Sequence, residues 1–325
     1  MYSIPPCGGW LIPPSPPLSS LTSPLMHRFL ICADIDITSC TALAEHCLQT
    51  PSLSCLTLDG LIVAGALCPE ASIGTSAEED GESIGVLTSV ISQLENIVCR
   101  VVYTPGSSDP YPIRDISPPF SSESPRITPN SRNIMKQYLK LSNGLGILGY
   151  CEPLIVSSFE DIDGVDSDDD DDLLEEQRRE ATRKMEADIS TLCANGVKHS
   201  EKGRVLNSAG EATSDEALAA TGQCIVVSSF CPNNRDNGRE TGPTRSALDD
   251  FPLLEYCKSE SAQTHQVLHV ASSNGTDTLD VNVGDVRVIF PGSLRKQHSF
   301  VLVELKLDEH RTSWSVDKVD FLQFT

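Results

Sequence analysis

Apolar residues in this chain gather into short runs that stop at glycine, proline or carboxylate turns, and the order of those runs outlines an α/β fold. The first, His27 to Ala33, is nearly continuous and leads into Asp34 and Asp36. A strand buried on both faces has this composition, and here it delivers acidic side chains at its carboxyl end. Thr41 to Leu48 follows with a short helical pattern, and Leu58 to Leu67 is a second apolar run that ends in a glycine turn. Ser83 to Leu94 predicts a helix capped by Ser83, with Val86, Leu87, Val90, Ile91 and Leu94 on one face. Val98 to Tyr103 is a third strand, stopped by Thr104-Pro105-Gly106. Strands alternating with helices imply parallel pairing in one sheet. Ligands bind at the carboxyl edge of such sheets, which directs attention to the turns after Asp34, Gly65 and Pro105.

The strand pattern returns at Gln223 to Ser228 and again at Val267 to Val270, Asp285 to Phe290, Ser299 to Leu307 and Thr312 to Phe321. The last of these read as hairpins, with Pro291-Gly292-Ser293 as a tight turn, and a second sheet packed on the first accounts for them. Two segments lack any such period. Residues 1–25 are rich in Pro and Ser and predict a disordered arm. From Glu160 to Thr221 the pattern lapses into an acidic insertion, with an aspartate run at Asp168 to Asp172 and a charged helix candidate from Leu173 to Leu192. The predicted organisation is therefore an arm over 1–26, a first half over 27–159, a largely disordered insertion over 160–221 and a second half over 222–325.

Charge narrows the partners. The 325 residues carry a formal net charge of -22, which opposes binding to nucleic acid or anionic lipid by bulk electrostatics. The aspartate run lacks the alternation and glycine of a calcium loop. Ser167, with acidic residues just after it, suits an acid-directed kinase. No apolar run is long enough for a membrane helix. The 12 cysteines include no Cys-x-x-Cys pair and no zinc-ligand spacing, so they read as small buried hydrophobes in a reducing compartment. These features predict a cytoplasmic protein, with the nucleus also open to it. Gly81-Glu82-Ser83-Ile84-Gly85 fits a serine-hydrolase elbow in letters but lacks the preceding strand. Asn274-Gly275-Thr276 is a glycosylation sequon with no role in the cytosol.

Taken in order, six turn sequences resemble those of the calcineurin-like metallophosphoesterases. They are Ala33-Asp34-Ile35-Asp36, Val63-Ala64-Gly65-Ala66, Tyr103-Thr104-Pro105-Gly106-Ser107-Ser108-Asp109-Pro110, Ser229-Phe230-Cys231-Pro232, His269-Val270-Ala271-Ser272-Ser273-Asn274 and Ile289-Phe290-Pro291-Gly292-Ser293-Leu294-Arg295. Segments Thr128 to Ile134 and Leu145 to Gly149 add to the likeness. The resemblance implies a four-layer α-β-β-α sandwich with two packed mixed sheets. It also implies a site for two divalent cations bridged by one aspartate, which hold phosphate and generate hydroxide.

By the same resemblance the bridging carboxylate falls at Ala66, the asparagine ligand at Ser107 and the leaving-group histidine at Ser108. The remaining ligand histidines fall at Asp36, Phe230, Ser272 and Asn274. Asp34 keeps an expected ligand, and Asp109 keeps the acid that supports the missing histidine. Either His265 or His269 could restore one imidazole by turning into the crevice. Losing several ligands abolishes a dinuclear site, so the expectation is a catalytically inactive binding or scaffold protein with a protein partner and no cofactor. The alternative is a metal-dependent phosphoester hydrolase using manganese or magnesium on Asp34 and Asp36.

Overall fold

The computed structural model describes residues 25–67, 77–106, 109, 128, 130–141, 144–151, 176, 179–180, 183–184, 186–194, 223–229, 257–258, 262, 265–272, 278–308 and 313–324. Within them the chain forms two six-stranded mixed sheets. The first half contributes β1 (Met26–Ala33), α1 (Ile37–Gln49), α2 (Pro51–Ser54), β2 (Gly60–Ala64), α3 (Ala77–Glu95), β3 (Val101–Thr104), β4 (Ser131–Asn133), β5 (Gln137–Lys140) and β6 (Gly146–Cys151). The second contributes β7 (Cys224–Ser229), β8 (Gln266–Ser272), β9 (Leu279–Val283), β10 (Val286–Phe290), α4 (Leu294–Gln297), β11 (Ser299–Leu307) and β12 (Trp314–Gln323).

The strand orders are β12-β11-β1-β2-β3-β4 and β5-β6-β7-β8-β10-β9. In the first sheet β1 to β4 run parallel, and β11 and β12 add on antiparallel beside β1. In the second, β6, β7, β8 and β10 are parallel and β5 and β9 are antiparallel edges. The two halves of the sequence thus do not coincide with the two sheets. β5 and β6 belong to the second sheet although they precede the acidic span, and the chain returns to the first sheet for β11 and β12.

Side-chain alternation sorts the core into three layers, as the period of two in a strand requires. Leu30, Cys32, Leu61, Val63, Val101 and Tyr103 face outward and pack under α1 and α3, against Leu43, Leu87, Val90, Ile91 and Leu94. Their neighbours Phe29, Ile31, Ile62 and Val102 face inward and meet Ile147, Ile225, Val227, Leu268, Val270 and Ile289 of the other sheet. The outer face of the second sheet presents Leu148, Tyr150, Cys224, Val226, Val288 and Phe290, covered by Ile189, Cys193, Cys257 and Ala262. Helix, sheet, sheet, helix is the layer order, which is the sandwich expected from the sequence.

Several expectations change. Helix α3 begins at Ala77, so Ser83 lies inside it and does not cap it, and Val86 is exposed while its four apolar companions are fully buried. Within the span read as an acidic insertion, residues 186–194 are helical, overlapping the helix candidate Leu173 to Leu192, and Ile189 and Cys193 are part of the third core layer. That helix is the outer layer of the fold, held there by apolar burial. Pro291-Gly292-Ser293 does not close a hairpin: β10 and β11 lie in different sheets, and the turn carries the chain from one to the other through α4. Cys55 and Cys99 are exposed, whereas Cys32, Cys40, Cys47, Cys193, Cys224 and Cys257 are buried thiols. Among the described residues no helix is long and apolar enough to cross a membrane. The arm before Leu25, the aspartate run, Ser167 and the Asn274 sequon lie outside the described residues.

Candidate functional site

Because β1, β2, β3 and β10 carry their carboxyl ends to one edge, the turns that follow them are brought together there. The turn after β1 is tied to the turn after β2 by the Ile35 amide donating to the Ala66 carbonyl at 2.9 Å. The turn after β2 is tied to β3 by the Gly65 amide donating to the Thr104 carbonyl at 3.0 Å. Gly106 makes the close approach possible, since a Cβ there would sit 2.6 Å from the Ala66 amide nitrogen. Gly65, with φ at +71°, supplies the left-handed step that turns the chain after β2.

Asp34 stands at the centre of this edge and is buried. It adopts φ of +48°, a left-handed conformation that Asp tolerates better than most side chains. Its carboxylate is already engaged. Ser293 donates its hydroxyl to Oδ2 at 2.5 Å, and Arg295 Nε reaches Oδ1 at 3.3 Å. The Arg295 amide also donates to the Asp34 carbonyl at 2.9 Å. Ser293 in turn caps α4, accepting from the Lys296 amide at 2.9 Å. The sheet-crossing turn thus latches onto the end of β1 through one hydroxyl and one guanidinium, and the positive charge beside Asp34 is covalently part of the chain.

Asp36 serves a different purpose. It is the N-cap of α1, its Oδ1 accepting from the Ser39 amide at 2.7 Å while Ser39 Oγ accepts from the Asp36 amide at 3.1 Å. This reciprocal pair satisfies two amides that the first helical turn leaves without partners.

Asp109 is fully buried and bridges two turns: Oδ1 accepts from the Leu67 amide at 2.7 Å and Oδ2 from the Gly106 amide at 2.6 Å. A carboxylate receiving two amide hydrogen bonds is a strong tie between β2 and β3. Ala66 lies between these groups and offers only a methyl. Ser272 closes β8, two residues past Val270, and is buried. Val270, two residues before it, is level with Ile289 of β10. Ser107, Ser108, Phe230 and Asn274 lie outside the described residues.

Neither histidine turns into the crevice. His265 precedes β8 at its amino end, the far edge from Asp34. His269 projects from the outer face of the second sheet, opposite the inward-facing Leu268 and Val270. It is fully buried, 2.8 Å from Ser228 Oγ through Nε2 and 3.3 Å from Gln266 Oε1 through Nδ1. Burial holds its pKa down at about 3, so the ring is neutral at neutral pH. Among the described residues no group of three or more His, Cys, Asp or Glu side chains is placed to hold a metal ion. Ser293 and Arg295 are the site residues that sequence reasoning missed. Their only signal was membership of the turn Pro291 to Arg295.

No protein-family model matches the chain, and no curated protein matches it. Solved structures do resemble it. A dimetal phosphatase from Danio rerio is 9% identical, with 93% of this chain and 100% of that one covered and a TM-score of 0.45. The calcineurin-like phosphoesterase YfkN from Bacillus subtilis is 10% identical over 92% of this chain and 90% of its own, with a TM-score of 0.42. The anchor protein of the inner membrane complex of Plasmodium is also 10% identical, over 92% and 84%, with a TM-score of 0.47. The chain is thus similar along most of its length to solved calcineurin-like phosphoesterases, at low identity.

Proposed function

We propose that this protein is a calcineurin-like phosphoesterase-fold protein that binds a protein partner and does not hydrolyse phosphoesters. The observation that carries the reading is the latch on Asp34. A dication entering there competes with the Ser293 hydroxyl and the Arg295 guanidinium for the carboxylate, and the guanidinium charge repels it. Ala66, at the position where the resemblance calls for a bridging carboxylate, offers no donor in exchange. Asp36 Oδ1 and both carboxylate oxygens of Asp109 accept from backbone amides. A fold shared with hydrolases carries little functional weight when the residues of the site differ. On this reading the crevice edge has become a structural junction, the partner is a protein, and the location is the cytoplasm.

The test uses the purified full chain. Metal content, thermal melting with millimolar manganese, and manganese-stimulated hydrolysis of p-nitrophenyl phosphate are measured on wild type and Asp34→Ala. The expected result is no bound metal, no melting shift and no hydrolysis above the buffer blank. Manganese-stimulated hydrolysis that disappears in Asp34→Ala would overturn the proposal. Stoichiometric metal with a melting shift would favour instead a hydrolase on Asp34 and Asp36.

A further inference from the structure

The outer face of the second sheet brings together thiols that are remote in sequence. Cys193, in helix 186–194, and Cys224, the first residue of β7, place their sulfurs 3.8 Å apart across a separation of 31 residues. Both are buried, at 5% and 0% exposure. We propose that Cys193 and Cys224 form a reversible redox pair, oxidised by peroxide to an intrachain disulfide that fastens helix 186–194 to β7.

The geometry favours this pair over the other thiols. The sulfurs, 3.8 Å apart, must close to the ~2 Å of a disulfide. Cys193 is the sulfur that peroxide reaches first, being 5% exposed against 0% for Cys224, and its contact with Cys224 lowers its pKa against the opposing effect of burial. Cys224 is held as the protonated partner, its pKa raised by that same contact and by burial. At the other buried thiols burial is the largest cause of the shift. Cys257 lies 3.8 Å from His269, but burial pushes this thiol up to about 12 and the imidazole down to about 3, so neither is charged. Cys32, Cys40 and Cys47 are likewise raised by burial.

The chemistry balances with hydrogen peroxide as oxidant. The Cys193 thiolate attacks one peroxide oxygen, the O–O bond breaks, and a sulfenic acid and hydroxide result. The Cys224 sulfur then attacks the sulfenic sulfur, an S–S bond forms, and the hydroxyl leaves as water with the Cys224 proton. Two thiols and one peroxide give one disulfide and two waters. Helix 186–194 lies within the acidic span 160–221, so the bond would anchor that span to the sheet in an oxidant-dependent way. Such transient disulfides are the kind that cytosolic proteins use for sensing.

The full chain is treated with hydrogen peroxide, free thiols are alkylated, and peptides are mapped by mass spectrometry without reduction. The expected product is a Cys193–Cys224 linked peptide lacking two hydrogens, reversed by dithiothreitol. It should be absent from Cys193→Ser and from Cys224→Ser and retained in Cys55→Ser. The melting temperature of the oxidised wild type should rise by about 5–10 °C. Sulfinic acid at Cys193 with no link, or links confined to Cys55 and Cys99, would overturn the proposal. So would a link that leaves the melting temperature unchanged, since the helix would then not be fastened. The peptide map is read on wild type and does not depend on how the variants fold.

Discussion

Replacing Asp109 with alanine removes one carboxylate and thereby strands two buried amides, those of Leu67 and Gly106, which now donate to it at 2.7 and 2.6 Å. A hydrogen bond to a charged acceptor contributes about 1.5–3 kcal/mol, and a buried amide left without its acceptor costs about 1–3 kcal/mol. Two such amides, with partial relaxation of the turn, put the loss at about 3–5 kcal/mol. For an ordered domain of this size each kcal/mol lowers the melting temperature by about 2–4 °C, so Asp109→Ala should melt about 6–20 °C below wild type. Asp109→Asn retains one acceptor oxygen and sets its amide group against the other donor, which predicts a loss of about 2 kcal/mol. Differential scanning calorimetry and urea unfolding measure both variants. An alanine variant melting within about 2 °C of wild type, or an asparagine variant less stable than the alanine one, would refute the view that this carboxylate ties the turns after β2 and β3.

Asp34→Gly should be more stable than Asp34→Ala by about 1 kcal/mol, because both lose the latch but only glycine accepts φ of +48° without strain; equal urea midpoints would remove the backbone argument. Gly106→Ala should cost about 2–3 kcal/mol from the contact with the Ala66 amide, whereas Gly85→Ala, with open space around it in α3, should stabilise by up to about 1 kcal/mol; unfolding midpoints that fail to separate the two would count against the packing read at the edge. His269 has a folded pKa lowered to about 3, so its stability contribution is complete above about pH 6.5 and is lost progressively as pH falls towards 3. Each pH unit in that window costs about 1.4 kcal/mol, roughly 2 kcal/mol by pH 5. His269→Gln should therefore show a flatter stability profile between pH 6.5 and 4.5, and a slope equal to wild type would exclude a buried neutral imidazole.

Strands, their buried character and the turns between them were legible in the sequence because each depends on near neighbours. The run from His27 to Ala33 alternates between two buried faces, and that alone marks β1 as an interior strand. Glycine turns at Gly65 and Gly106 were visible for the same reason, as was the return of strands after Gln223. Helix α3 was found by its apolar face but begun too late, since its first turns are acidic and polar and look like a loop when only periodicity is available. The second sheet and the antiparallel pairs β9–β10 and β11–β12 were anticipated, but not that the turn at Pro291 crosses between sheets, because the same turn residues serve a hairpin and a crossing.

The chemistry of the edge was a matter of tertiary structure. Asp34 and Ser293 are 259 residues apart, Leu67 and Asp109 are 42 apart, and the hydrogen bonds between them exist only because parallel strands end together. A sequence shows which residues carry carboxylates, thiols and imidazoles. Whether a carboxylate oxygen faces a guanidinium, two thiols meet, or an imidazole is desolvated depends on distance and burial, and those are set when the sheets stack and the helices cover them.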